Sequence, residues 1–193
     1  MGRPGENGGV PDGLIPEGVD TVGFAPVLAS EAASSRLRED LLATWIAVTN
    51  AGGSVGFTAP ADHVEVAAAL DAALERVAAG RDALGVLRRD DASVGMGLLV
   101  DTGSAIQRHW RTLLRVMVRP ELQGTGAGRL LVEGLHQMAR DLGLEHLQLT
   151  VRSGERLESF YERFGYVVVG LHPGAVRVAR GDDRDEVMMV ARL

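Results

Sequence analysis

The sequence predicts a mixed α/β fold, with helices on both faces of a mixed sheet. Three observations predict it. Apolar residues recur at helical spacing in some segments and in short runs of strand length in others. Glycine and proline stop signals separate these segments. The resulting order, β-α-α-β-β-β-α-β-α-β-β, interleaves strands with helices along the chain.

The elements follow in order. Residues 1–18 are rich in Gly and Pro with little to bury, and read as a disordered tail ahead of one domain over 19–193. Val19 to Leu28 fits a first strand. From Ser34 to Thr49, Leu37, Leu41, Leu42, Trp45, Ile46 and Val48 recur at helical spacing, and Asn50-Ala51-Gly52-Gly53 ends the run. Ser54 to Pro60 reads as a loop. A second helix starts at Asp62, whose carboxylate can cap it, with Glu65 at the capping-box position, and ends at Gly80.

The period then changes. Leu84 to Leu87 and Val94 to Val100 read as antiparallel strands joined by Arg88-Arg89-Asp90-Asp91. Trp110 to Val118 is a longer strand, with Thr112, Leu114, Val116 and Val118 expected on one face and Pro120 closing it. A glycine-rich loop leads into a helix running to about Leu142. Its apolar face is Ala127, Leu131, Gly134, Leu135, Met138 and Leu142. Leu144 to Val151 is a strand, and Glu155 to Phe164 a short helix stopped by Gly165. Val167 to Leu171 and Val187 to Leu193 are the last strands, joined by a polar loop from Pro173 to Glu186.

Composition bounds the function. At 193 residues, the chain is long enough for a full-sized core. There is no cysteine, so disulfides, thiolate metal sites and a cysteine nucleophile are excluded, and no metal site is expected. A net charge of −6 argues against a nucleic-acid groove. No apolar run is long enough for a membrane helix, and the N-terminal residues do not read as a secretory signal. A cytoplasmic protein without a membrane or nucleic-acid partner is expected.

The strongest feature is a strand, then Gln123-Gly124-Thr125-Gly126-Ala127-Gly128, then a helix. Glycines let the backbone turn tightly and let a ligand approach with no Cβ in the way. The first N–H groups of the helix lack internal partners and sit at the positive end of its dipole, where a pyrophosphate is stabilised. Glycines two apart miss the dinucleotide fingerprint, and the Walker pattern needs a lysine the chain lacks. Downstream, Ser159-Phe160-Tyr161-Glu162-Arg163-Phe164-Gly165-Tyr166 ends the short helix.

These two motifs resemble the coenzyme A pyrophosphate loop and the Phe-Tyr-x-x-x-Gly-Phe/Tyr helix end of the GNAT acetyltransferase superfamily, over roughly residues 80–193. The resemblance implies the GNAT fold, a mostly antiparallel mixed sheet in which a splayed strand pair holds acetyl-CoA. It implies that backbone groups at Val116, Met117 and Val118 bind pantetheine and polarise the acetyl carbonyl, and that residues 123–128 hold the pyrophosphate. A tyrosine at the position of Tyr161 often protonates the departing thiolate. A phenol suits that role because it holds its proton at neutral pH. The competing reading of Tyr161 is a core tyrosine. Gly53-Ser54-Val55-Gly56-Phe57, the Phe160-Tyr161 helix and Val169-Gly170-x-x-Pro173-Gly174 look similar to the tabtoxin-resistance type, which acetylates an amine of a small amino-acid-like toxin.

Three positions depart from the pattern. The usual glutamate base falls on Thr112, the aspartate of the tabtoxin-resistance type on Thr150, and an asparagine often found before the tyrosine on Gly154. The general base is therefore not carried over. His109 is the candidate with the best-suited pKa, followed by Asp101 and His172; each also fits a solvated strand end. The carboxylates of Gly181-Asp182-Asp183-Arg184-Asp185-Glu186 in the polar loop, Asp182 and Asp183 first, could bind a cationic amine, or the run could be a solvated turn. Phe57 could line the acceptor site; Trp45 fits a helix core better. The sequence thus implies a small-molecule N-acetyltransferase working by direct attack. The alternatives are a protein or peptide acetyltransferase and a non-catalytic acyl-CoA sensor. A homodimer is an option that rests on family habit alone.

Overall fold

The computed structural model describes residues 21–193. The expected tail at 1–18, and the start of the first strand at Val19, lie outside the described residues. Among the described residues, seven strands form one sheet: β1 (Val22–Val27), β2 (Ala83–Arg89), β3 (Ala92–Val100), β4 (Trp110–Val118), β5 (His146–Arg152), β6 (Val167–Ala179) and β7 (Asp182–Arg192). The helices are α1 (Ser35–Asn50), α2 (His63–Ala78), α3 (Ala127–Asp141) and α4 (Leu157–Glu162). The strand order is β1-β2-β3-β4-β5-β7-β6, and β4–β5 is its parallel pair. Among the described residues, no helix is long and apolar enough to cross a membrane.

The sheet separates two apolar layers. On one face α1 and α2 cover Leu84, Val86, Met96, Leu98 and Met117, with Trp45 at 1% exposure in the middle. Burying such a ring removes roughly 200 Å² from water, worth about 5 kcal/mol before the entropy of ordering it. On the other face α3 and α4 cover Leu87, Leu99, Leu113, Leu147 and Met189. Helix α3 sits close because glycines face it: a Cβ on Gly97 would come within 2.5 Å of the Leu135 side chain.

Local signals placed the helix starts. The Asp62 carboxylate accepts from the Val64 and Glu65 amides at 2.8 and 3.1 Å, and Ser34 Oγ accepts from the Leu37 amide. Helix α3 stops at Gly143, whose φ of +73° relieves the turn that follows.

Three expectations need correction. The polar loop at 173–186 is not a loop: β6 and β7 run on as a long hairpin closed by Arg180-Gly181, and cross-strand pairs such as Arg177–Asp183 absorb its charges. Thr112, Leu114, Val116 and Val118 do not share a face. Arg115 has φ +55°, and two residues, Arg115 and Val116, oppose Gly97 alone, so the alternation flips at this bulge. Leu114 then packs toward α1 and α2, while Val116 and Val118 pack toward α3. Leu142 is 55% exposed, beyond the end of the apolar stripe of α3.

Candidate active site

Strands β4 and β5 pair only through Trp110–His146, Arg111–Leu147 and Thr112–Gln148. Beyond that they part. The gap opens into a cleft of about 1290 Å³, walled by Leu113–Val118 on one side and Leu149–Arg152 on the other. Gln123, Gly124, Gly126 and Gly128 form one end of it, and Phe160 and Tyr161 of α4 line it. Residues 53–58 and Glu65 line the side toward α1 and α2, and Val176, Arg177 and Glu186 reach it from the β6–β7 hairpin.

The parting leaves the β4 edge free to pair with something other than protein. Backbone N–H and C=O groups in such a place need partners, and an extended ligand with amides supplies them. At the glycine end, Gly124 and Gly126 have φ +78° and +95°, and a Cβ built on either would meet nothing within 4 Å. The amides of Gly124, Gly126, Ala127 and Gly128 make no backbone hydrogen bond to the described residues. Thr125 Oγ1 turns inward to the Leu122 carbonyl at 2.7 Å, and Gln123 Nε2 donates to the Val118 carbonyl at 3.2 Å, fixing the loop on the end of β4. Free N–H groups around an open hollow, at a helix N-terminus, fit a pyrophosphate. Thr125 and Ala127 belong to the loop without lining the cleft.

Tyr161 is 8% exposed, with its ring edge-on to Phe160 and Tyr166 at 5.1 and 5.4 Å. Its side chain makes no hydrogen bond to a described residue, and burial pushes its pKa up from the ordinary phenol value. The hydroxyl therefore stays protonated and can donate.

On the opposite side, the 52–57 loop is tied across to the start of α4. Ser54 Oγ donates to Glu155 at 2.5 Å, Arg152 Nη2 donates to the Gly52 carbonyl at 3.3 Å, and Arg152 pairs with Glu155. Phe57 lines the cleft and stands edge-on to Trp45 with ring centroids 5.6 Å apart.

The other residues singled out in the sequence lie elsewhere. His109 is exposed before the start of β4, its ring 5.9 Å from that of His146, at the end of the strand away from the cleft wall. Asp101 pairs with Arg111 at 3.0 Å, and His172 lies opposite Glu186 in the β6–β7 ladder; neither lines the cleft. Asp182 and Asp183 sit at the tip of the hairpin, ion-paired with Arg184 and Arg177, and do not line it either. Neighbouring guanidinium groups hold both carboxyls below the usual range. Thr150 lines the cleft and Thr112 does not.

Sequence reasoning missed Arg115, Arg152 and Glu155, while of the carboxylates in the run from Asp182 to Glu186 only Glu186 lines the cleft. A signal existed for Arg115, the one charged residue inside the run Leu113 to Val118. Glu186 was assigned to a loop that is in fact strand.

Comparison with known proteins agrees with this geometry. Residues 48–175 match the family described as acetyltransferase (GNAT) domain. A GNAT-family acetyltransferase from Streptococcus pneumoniae superposes with a TM-score of 0.70 at 17% identity, over 90% of this chain and 100% of that one. The structure of yncA from Salmonella typhimurium, described as an acetyltransferase with its cofactor acetyl-CoA, gives 0.66 at 19% identity, over 89% and 94%. A ribosomal-protein-alanine N-acetyltransferase from Brucella melitensis gives 0.68 at 18% identity, over 88% and 99%. The family match spans well over half of the 193 residues. The chain belongs to the GNAT acetyltransferase family, and acetyl-CoA is its acyl donor.

Proposed function

We propose that this acetyltransferase acts on a primary amine of a small, amino-acid-like molecule, by direct attack within a ternary complex, as the likeness to the tabtoxin-resistance type implies. The observation that carries the small-molecule reading is the tie between the 52–57 loop and Glu155, which spans the cleft where a peptide groove would need to stay open. The β6–β7 hairpin adds a further wall through Val176, Arg177 and Glu186.

Each part of the chain has a task. The amides of residues 124–128 hold the pyrophosphate, and the backbone of Val116 and Val118 pairs with the pantetheine amides. Acetyl-CoA supplies an activated thioester. An amide at Val116 or Met117 donates to the acetyl oxygen as it gains charge, a contribution that grows toward the transition state. Tyr161 donates its proton to the departing sulfur. Without cysteine, no thiol relay carries the acetyl group. Thr112 and Thr150 leave no carboxylate where relatives carry a base, so the amine enters through its neutral fraction or loses its proton to water. Holding amine and thioester together supplies much of the rate.

The test is product identification from an equimolar pool of free amino acids, small natural amines and unstructured peptides with acetyl-CoA, read by mass spectrometry. Acetylated small amines with peptides left unmodified is the expected result. Acetylated peptides would replace this reading with a peptide acetyltransferase. No product, with acetyl-CoA bound, would favour a sensor domain.

A further inference from the structure

Six arginines line the cleft against four carboxylates, in a protein of net charge −6. Most of the six are accounted for. Arg152 pairs with Glu155, Arg177 with Asp183 and Arg129 with Glu133, while Arg156 and Arg163 are exposed to water. Arg115 is different. It is half-buried, and that desolvation pushes its pKa down, and it forms no ion pair with any described residue.

Its position is built with care. The bulge in β4, with φ +55° at Arg115, turns the side chain toward α1. There the guanidinium carbon lies 5.1 Å from the centre of the Trp45 ring, and Nη1 donates to the Val55 carbonyl at 2.9 Å. Gly56 packs directly on it: a Cβ there would come within 1.9 Å of Nη1. Holding the loop does not by itself require this charge, because the Val55 carbonyl already accepts from Trp45 Nε1 at 3.0 Å. A guanidinium has five N–H donors, and Val55 takes one. A cation drawn even partly out of water without a counter-ion is costly, and an anion that pairs with it offsets the cost. Functional sites are where such groups collect.

We propose that Arg115 anchors a carboxylate on the acceptor, so that the amine substrate is a free amino acid or a close analogue. This rests on the small-molecule reading above and names its chemical class. Phe57 lines the cleft near the anchor, backed by the buried Trp45 ring that both it and Arg115 contact. Glu65 and Glu186 line the same cleft and form no ion pair with the described residues, so the cleft offers a place for the ammonium end as well. A zwitterion meets both signs of charge; a simple amine or polyamine leaves Arg115 unpaired.

The experiment compares the proteinogenic amino acids with the matching amino-acid amides. Initial rates and, in parallel, calorimetric binding to the protein saturated with coenzyme A are measured for wild type, Arg115→Met and Arg115→Lys. Wild type should prefer the best acid over its amide by roughly 10- to 100-fold, the range for a charge-assisted hydrogen-bonded pair. Arg115→Met should collapse that ratio toward one, chiefly through KM, and Arg115→Lys should restore part of it. Retained acetyl-CoA binding and a cooperative thermal transition show that the variants still fold. An equal loss for acid and amide would overturn the proposal and leave Arg115 a positioning residue for the 53–57 loop. So would a change confined to transfer from succinyl-CoA, which would place the carboxylate on the acyl group. If no amine is turned over, the proposed activity fails, while acid binding that depends on Arg115 would still uphold the anchor. If neither acids nor amides bind, the anchor fails.

Discussion

Thr112 and Gln148 are the last partners that β4 and β5 share. From Leu113 onward the β4 edge faces the cleft, and the bulge at Arg115 and Val116 also loosens its bond to β3. The proposed donor site depends on this separation. If acetyl-CoA fills the gap as an added strand would, the amides of Val116–Val118 and of Gly124–Gly128 should exchange hydrogen more slowly once it binds, while Trp110–Thr112 stay unchanged. Exchange measured by mass spectrometry with and without acetyl-CoA checks this. Protection confined to the β6–β7 hairpin would move the donor site elsewhere.

Tyr161→Phe removes one hydroxyl and leaves the ring among Phe160 and Tyr166. The thermal midpoint and the KM for acetyl-CoA should change little. The turnover number should fall by about 100-fold, the lower range for loss of a positioned acid. Because burial raises the phenol pKa, the wild-type rate should climb with pH as the amine deprotonates, with no falling limb from Tyr161 below about pH 10. A turnover number that stays within twofold would remove Tyr161 as the acid.

Gly126 caps α3 with φ +95°. Alanine there is strained by about 1 kcal/mol and places a methyl group in the hollow that fits the pyrophosphate. Gly126→Ala should lower the thermal midpoint slightly and weaken acetyl-CoA binding by roughly tenfold. Calorimetry would read both coenzyme A and acetyl-CoA; unaltered affinity for both would count against this cradle.

His136 is buried on the inner face of α3, with Nε2 at 3.1 Å from the Tyr166 hydroxyl. Desolvation first, then the charge of Arg140, lowers its pKa from 6.5 to about 4. Between those values the unfolded chain binds more protons than the folded one, so stability is full above about pH 6.5 and is lost as pH falls toward 4. The contribution is on the order of 3 kcal/mol. Thermal unfolding at about pH 7.5 and about pH 5 should show a larger acid loss for wild type than for His136→Gln. Equal losses would mean that His136 does not set the acid sensitivity.

Much of this was legible in the sequence because local chemistry decided it. The Trp110 to Val118 strand was bounded by polar residues and Pro120, and it was read to the residue. Asp62 capped α2 as its side chain required. The turn from β4 into α3 was signalled by Gly124 and Gly126, which both take positive φ. The β4 bulge was not legible, because Arg115 carries no turn signal and its φ of +55° is held by Val55, Gly56 and Trp45 from far away in the chain. The hairpin after His172 was hidden by Pro173, Gly174 and a run of charges that resembles a loop until Asp183 meets Arg177 across the strands. His109 drew notice as a histidine, the usual proton acceptor near neutral pH, but residue type says nothing about which end of a strand faces the cleft. Within the acidic run, the sequence does not tell Glu186, which reaches the cleft, from Asp182 and Asp183, which sit at the hairpin tip.

The central claim, acetyl transfer to a small amine in the cleft between β4 and β5, is tested most directly by release of free coenzyme A thiol. The assay uses acetyl-CoA with amino acids and small amines offered singly. The account predicts thiol release that needs both substrates, saturates in each and gives intersecting initial-rate lines, the pattern of a ternary complex. Acetyl-CoA that binds but releases no thiol with any amine would contradict it, leaving a cleft that holds the donor without catalysing transfer.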